Sequence, residues 1–238
     1  MSGPEPAPTP PVESPPAAGR PFARGLPAAA EEGPERDLVL ERLLFFSDAV
    51  FAIAMTLLVV DLRPPTLDPA ASEAAVGSAL AADLGRIVAF VISFIVVGLY
   101  WEGHLRIFHA VRTTDRGLIA LNLAFLIWIA FMPYPTAVLG SHEPTRLSVA
   151  FYAAVQVGAG LCEAAVWVYA TRHPALVRPS VDPLLARRVT AHILRGPAVF
   201  AGSMVVALLS PWLAIASWAL IVPASFVVDR RWDGHPAG

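Results

Sequence analysis

Residues 42–62 read RLLFFSDAVFAIAMTLLVVDL. As a helix this stretch is apolar for long enough to cross a bilayer, which takes about 20 residues at 1.5 Å each. Arg42, Ser47 and Asp48 lie near its first turns. A carboxylate inside a spanning segment is costly to desolvate and is kept mainly where it is paired and useful. Outward from this stretch the apolar character recurs, giving six segments near 40–62, 86–109, 117–139, 147–171, 188–209 and 212–228. An open strand in lipid would leave backbone groups unsatisfied, so each segment is expected to be a helix. Ser210 and Pro211 predict a turn at the membrane surface between the last two. The sixth is the shortest, with Pro223 near its end. The predicted fold is an all-α polytopic membrane protein with six transmembrane helices.

The composition agrees. Of 238 residues, 56% are hydrophobic and 15% charged, with mean hydropathy +0.60. A soluble domain has ~45–50% and ~25%. The formal net charge of -2 excludes a strongly basic nucleic-acid binder; the expected surroundings are membrane lipid. A single cysteine, Cys162, makes no internal disulfide, and no Cys/His pair has zinc-site spacing. The chain has no G-x-S-x-G, phosphate loop or H-E-x-x-H run, so neither metal, cofactor nor enzymatic activity is expected.

Residues 1–37 are rich in Pro, Ala and Glu, and PEPAPTPPVESPPAAGRP has no apolar h-region. This segment reads as a disordered cytosolic tail rather than a secretory signal. Residues 38–229 form the membrane domain and 230–238 a short cytosolic tail. Orientation follows from arginines. Arg106, Arg112 and Arg116 lie between the second and third segments, Arg172, Arg178, Arg187 and Arg188 between the fourth and fifth, and Arg230 and Arg231 at the end. The opposite side has Arg63, Arg86 and Arg146 with Asp68, Glu73 and Asp83. Both termini are therefore expected in the cytosol. Trp212, Trp218, Trp232 and Tyr134 are expected at the membrane interface.

On a helix turning 100° per residue, with Ile53 at zero, Leu57 lies at about +40°, Val60 at about -20° and Thr56 at about -60°. Bulky aliphatic side chains thus share one stripe with a hydroxyl beside it, although any spanning helix shows such stripes to lipid or to its neighbours. Asp48 lies about 140° from Ile53, and Ser47 on the other flank. If Ile53 faces a pathway, Asp48 points into its own subunit. Trp101 and His104 on the second helix and Asn122 on the third are at matching depth, and lone polar groups in hydrocarbon seek partners. Asp48, Ser47, Trp101, His104 and Asn122 are expected to brace the first helix, with Arg42 closing the network from the cytosolic side. Glu163 and Arg195 form a candidate ion pair between helices four and five. Asp61 sits near the outer end of the first helix.

The pattern R-x-x-x-F-S-D (Arg42, Phe46, Ser47, Asp48), followed by W-x-x-H (Trp101, His104) in the second helix, resembles the signature of the transmembrane protein 175 family of potassium channels. The run YPTAVLG, Tyr134 to Gly140, is similar to a family F-P-T-A-L-L-G run, and its Pro135 is expected to kink or end the third helix. Many members have a second histidine directly after the first; this chain has Leu105. The length holds one six-helix set, as in bacterial members, where the animal lysosomal ones carry two. The resemblance implies a homotetramer with the first helix lining a central pore. It implies an aliphatic constriction at Ile53, with further rings at Leu57 and Val60, and cation preference at Thr56. The implied function is a leak-type channel in the bacterial plasma membrane, passing K+ and other monovalent cations. Aliphatic rings at a narrow point expel water and bar hydrated ions.

Two other functions compete. A proton pathway or secondary transporter would use the intramembrane carboxylates and His104. A haem protein would need His104 and His192 facing each other at matched depth.

Overall fold

The computed structural model describes residues 38–219 apart from Asp61 and His142. The expected tails at 1–37 and 230–238, Trp232, Asp61 and most of the sixth segment lie outside the described residues. Within them the chain is all-helical, with nine helices. They are α1 (Leu38–Leu57), α2 (Glu73–Ala82), α3 (Leu84–Ala110), α4 (Arg116–Phe131), α5 (Pro133–Gly140), α6 (Arg146–Arg172), α7 (Pro183–Ile193), α8 (Arg195–Leu209) and α9 (Pro211–Trp218). Four helical units are long and apolar enough to cross a membrane: Leu84–Ala110, Arg116–Gly140, Arg146–Arg172 and Pro183–Leu209. At 20 residues α1 is also long enough, but it carries Glu41, Arg42 and Asp48.

The starts are written in capping residues. Ser72, Asp115, Asp182 and Ser210 accept backbone N–H bonds at the N-termini of α2, α4, α7 and α9. Thr145 and Ser148 close a capping box at α6, and Pro183 and Pro211 sit in first turns, where a missing N–H costs nothing. The Arg116–Gly140 unit is jointed. Its break falls at Met132, before Pro133, rather than at Pro135, which lies inside the first turn of α5. Thr136 Oγ1 donates to Met132 O (2.8 Å) across the joint. The Pro183–Leu209 unit is jointed too, at Leu194 between α7 and α8. The turn expected at Ser210–Pro211 is present. The short helix α2 has no buried residue and no counterpart among the expected segments.

Helix α6 is the hub, touching α3, α4, α5, α7, α8 and α9, while α1 rests on α3, α4 and α5. Small residues let the helices close up. A Cβ on Gly140 would meet Arg86 Cα at 2.9 Å, so α3 and α5 cross backbone to backbone there, and Gly158 receives the Trp128 ring. Trp218 is no interface residue. It is 3% exposed, stacks on Tyr152 at 4.9 Å and donates to Ser203 Oγ (2.8 Å). Its indole found a polar partner inside the bundle, so burial satisfied both its ends. Trp212 and Tyr134 are exposed.

Candidate functional site

The first helix has two faces. Leu40, Leu43, Ser47, Phe51, Ala54 and Leu58 are buried, at steps of three and four residues. Against them runs a second series, Arg42, Phe46, Ala49, Ile53, Thr56 and Val60, alternating steps of four and three, and every member is exposed. Leu57 is exposed beside it. Alternating three-four spacing keeps one seam aimed at a neighbour, as in associating helices. Ile53 is 57% exposed and Val60 63%, an apolar seam without a partner among the described residues. The helix ends at Leu57, and Val60 follows in a tightened turn, its N–H bonded to Leu57 O (3.1 Å). Val60 therefore reaches the exposed side from that turn rather than from the regular helix. Thr56 Oγ1 donates back to Ile53 O (2.9 Å) and Ala52 O (3.0 Å). Its proton is thereby committed to its own helix, and the oxygen lone pairs are left for the exposed side.

On the buried side the polar residues fall into two brackets. In the first, Asn122 of α4 donates from Nδ2 to Ser47 Oγ (3.0 Å), and Ser47 donates onward to Leu43 O (2.8 Å). With Asn122 so oriented, its Oδ1 accepts from His104 Nε2 (3.0 Å). The run of donors fixes the His104 tautomer with the proton on Nε2, and Nδ1 has no hydrogen-bond partner. Ser47, Asn122 and His104 are each at most 1% exposed. Three phenylalanines enclose the imidazole, Phe108 at 4.4 Å, Phe51 at 5.6 Å and Phe125 at 6.1 Å between ring centroids. The second bracket is nearer the surface, where Trp101 Nε1 donates to Asp48 Oδ1 (3.0 Å). Arg42, expected to close the network, and Phe46 of the same motif are exposed and take no part in these bonds. Both belong to the seam instead, since they lie one helical turn apart on the opposite face.

A further polar cluster went unread in the sequence. Thr136 Oγ1 is hydrogen-bonded to Ser93 Oγ (2.7 Å), and Ser93 is paired with Tyr152 Oη (3.0 Å), joining α3, α5 and α6. Ser93 and His104 are eleven residues apart, about 20° around the helix, and that shared buried stripe was the available signal. The expected Glu163–Arg195 ion pair is not formed. Both line one cavity, but the ion pairs among the described residues are Arg86–Asp83 (2.9 Å) and Arg106–Glu102 (2.6 Å). Arg195 opens α8 beside the Leu194 joint, where an exposed head group keeps its hydration. His192 also lines that cavity, away from the phenylalanine cage of His104, so the two do not form the facing pair that haem needs.

At the end of the bundle holding the α3–α4 and α6–α7 loops, Arg112 N bonds Leu176 O (2.8 Å) and Arg178 N bonds Ala110 O (2.9 Å). Asp115 accepts there from Leu118 N (2.7 Å) and from Tyr169 Oη (2.8 Å). The Leu118 amide above all holds the Asp115 carboxyl below its usual range.

The sequence pattern of the family described as endosomal/lysosomal potassium channel TMEM175 matches residues 42–133, the segment holding most of α1, both brackets and the α4–α5 joint. A protein of Streptomyces collinus named as a potassium channel is 34% identical over 184 residues, spanning 76% of this chain and 88% of its own. The crystal structure of a lysosomal potassium-selective channel TMEM175 homolog from Chamaesiphon minutus superposes with TM-score 0.67 at 27% identity, covering 82% of this chain and 98% of that one. A Gallus gallus protein named endosomal/lysosomal proton channel TMEM175 is 28% identical over 185 residues, and the chain spans 36% of its length. Identity of a third across nearly the whole of a relative, with the motif residues seated together on α1, α3 and α4, makes this chain a membrane protein of the TMEM175 family.

Proposed function

We propose that the chain is the subunit of a homotetrameric, potassium-permeable leak channel in a bacterial plasma membrane, with six spans and cytosolic termini. The supporting observation is the exposed seam of α1. The helix is anchored on one side by a buried bond to α4 and an exposed bond to α3, and it presents Ile53, Thr56, Leu57 and Val60 on the other with nothing among the described residues to cover them. Closed cyclic symmetry is the usual way for identical subunits to enclose one pathway. Four copies of the seam around one axis form aliphatic rings at Ile53, Leu57 and Val60. These rings are the constriction, and opening must widen or rotate them. A ring of Thr56 oxygens, each with its proton turned back to its own helix, offers acceptors to a dehydrating cation. Hydroxyl oxygens are fewer and less constrained than stacked carbonyls, so selectivity for K+ is modest. The potassium-channel names of the bacterial relatives support this reading over a transporter.

A proton pathway is the second reading, favoured by the names of the animal relatives. His104 does not support it, because its bonds run through Asn122 and Ser47 to end on the Leu43 carbonyl of α1, and phenylalanines enclose its ring. The test is potassium flux in proteoliposomes. Ile53→Ala and Ile53→Asn widen or wet the constriction, so flux rises and K+ over Na+ discrimination falls. Unchanged flux and discrimination would remove Ile53 from the gate.

A further inference from the structure

On the side of α3 away from α1 the bundle holds a cavity of about 120 Å³ between α3, α6, α7 and α8. Its share would accommodate a few waters, at about 30 Å³ each. Glu163 of α6 lines it, is 5% exposed, and its Oε1 has no hydrogen-bond partner. The carboxyl lies against Gly103, where any Cβ would strike Oε1. One turn along α6, Gly160 receives the Pro197 ring of α8 in the same way, so the walls are held at close range on both sides. The titratable and charged side chains on the cavity wall are Tyr100, Glu102 and Arg106 from α3, His192 from α7 and Arg195 from α8. Among the described residues α4, α5 and α9 place none there. Arg106 is bonded to Glu102 (2.6 Å), Tyr100 donates its proton to Gln156 O (2.8 Å), and Arg195 makes no ion pair with Glu163.

Among the described residues no ion pair reaches Glu163 where it now sits, and an unpaired carboxylate so enclosed is far costlier than the acid. The cavity offers it somewhere to go once charged, toward Arg195. Gly103 lies between Trp101 and His104, the two α3 residues that hold α1. We propose that Glu163 is a proton-binding site: it carries a proton while lodged against Gly103, and losing that proton releases it into the cavity and loosens the stretch of α3 that anchors α1. The site stands on packing within one subunit; its effect on flux rests on the pore reading above.

Infrared spectroscopy of the full chain in lipid reads the site directly. At neutral pH wild type shows the C=O band of a protonated carboxyl, shifted by D2O; the band is missing from Glu163→Gln and fades from wild type at alkaline pH. A band of equal strength in both proteins overturns the site. Gly103→Ala is the second variant, and by filling the notch it removes the same band. Potassium flux in proteoliposomes reads the coupling. Wild type changes by about 5-fold or more between neutral and alkaline pH, the lower end of ordinary coupling between sites, and Glu163→Gln stays at the neutral-pH rate throughout. Glu163→Gln with the wild-type pH profile overturns the coupling. Wild type without flux at any pH overturns the coupling together with the pore reading, and the infrared band still decides the site alone.

Discussion

Asn122→Leu is the sharpest perturbation of the bracket that holds α1. Leucine has the same number and branching of side-chain heavy atoms as asparagine, so the change removes two bonds, to Ser47 and from His104, in a side chain of similar shape. The two losses are unequal. Ser47 keeps its donation to Leu43 O and gives up only a donor to one lone pair. His104 is left with neither nitrogen bonded, because Nδ1 has no partner already. A buried donor stripped of its acceptor costs about 1–3 kcal/mol, whereas interhelical bonds in membrane proteins average about 0.6 kcal/mol with a maximum near 1.7. The His104 term then dominates, and the expected loss is about 2 kcal/mol, roughly 30-fold in the folding equilibrium. Replacing both partners with apolar groups is far cheaper than replacing one. Phe51, Phe108 and Phe125 already form an aromatic cage, so His104→Phe should be harmful alone and restore most of the loss when combined with Asn122→Leu. The assay is reversible unfolding in mixed micelles across the double-mutant cycle. An Asn122→Leu protein within about 0.5 kcal/mol of wild type, or a double mutant as weak as the sum of the singles, would refute the directional bonding described above.

Three further outcomes are expected. Gly140→Ala drives a methyl into the α3 backbone at Arg86, and overpacking of this kind costs about 1–3 kcal/mol, read as a lowered melting temperature in detergent. Trp101→Phe keeps the ring but frees Asp48; on a partly exposed bond the stability cost is about 0.5–1.5 kcal/mol, and potassium flux should change with it because α1 is less firmly held. Asp115→Ala removes a helix cap worth about 1 kcal/mol. Because the folded carboxyl is held below its unfolded value, its contribution is complete above the unfolded value and is lost as pH falls toward the folded one. The stability gap between wild type and Asp115→Ala should therefore be widest near neutral pH and close in acid.

The legible parts of this fold were those fixed by patterns within one helix. The three-four spacing on either side of residues 40–60 separates the anchored face of α1 from its bare one. Depth along separate helices was enough to group Ser47, Asn122 and His104. What escaped depends on which helix lies beside which. Trp218 looked like an interface residue because nothing in the sequence shows Tyr152 and Ser203 waiting for it. Glu163 and Arg195 have opposite charges on neighbouring helices, yet Gly103 gives the carboxyl room against α3 instead. Arg42 fits the motif by spacing, but its side of the helix is the exposed seam. The α4–α5 joint was expected at Pro135; it is Pro133 whose ring blocks the preceding turn, and Thr136 then ties the first turn of α5 to Met132.

Oxidative crosslinking of Ile53→Cys in a Cys162→Ser background, in native membranes, addresses most directly whether the bare face of α1 is shared between subunits. Disulfide-linked dimers at Ile53→Cys, with none at the equally exposed Leu208→Cys on α8, are the predicted result. Monomers at Ile53→Cys together with ready crosslinks at Leu208→Cys would place α1 against lipid and contradict the account.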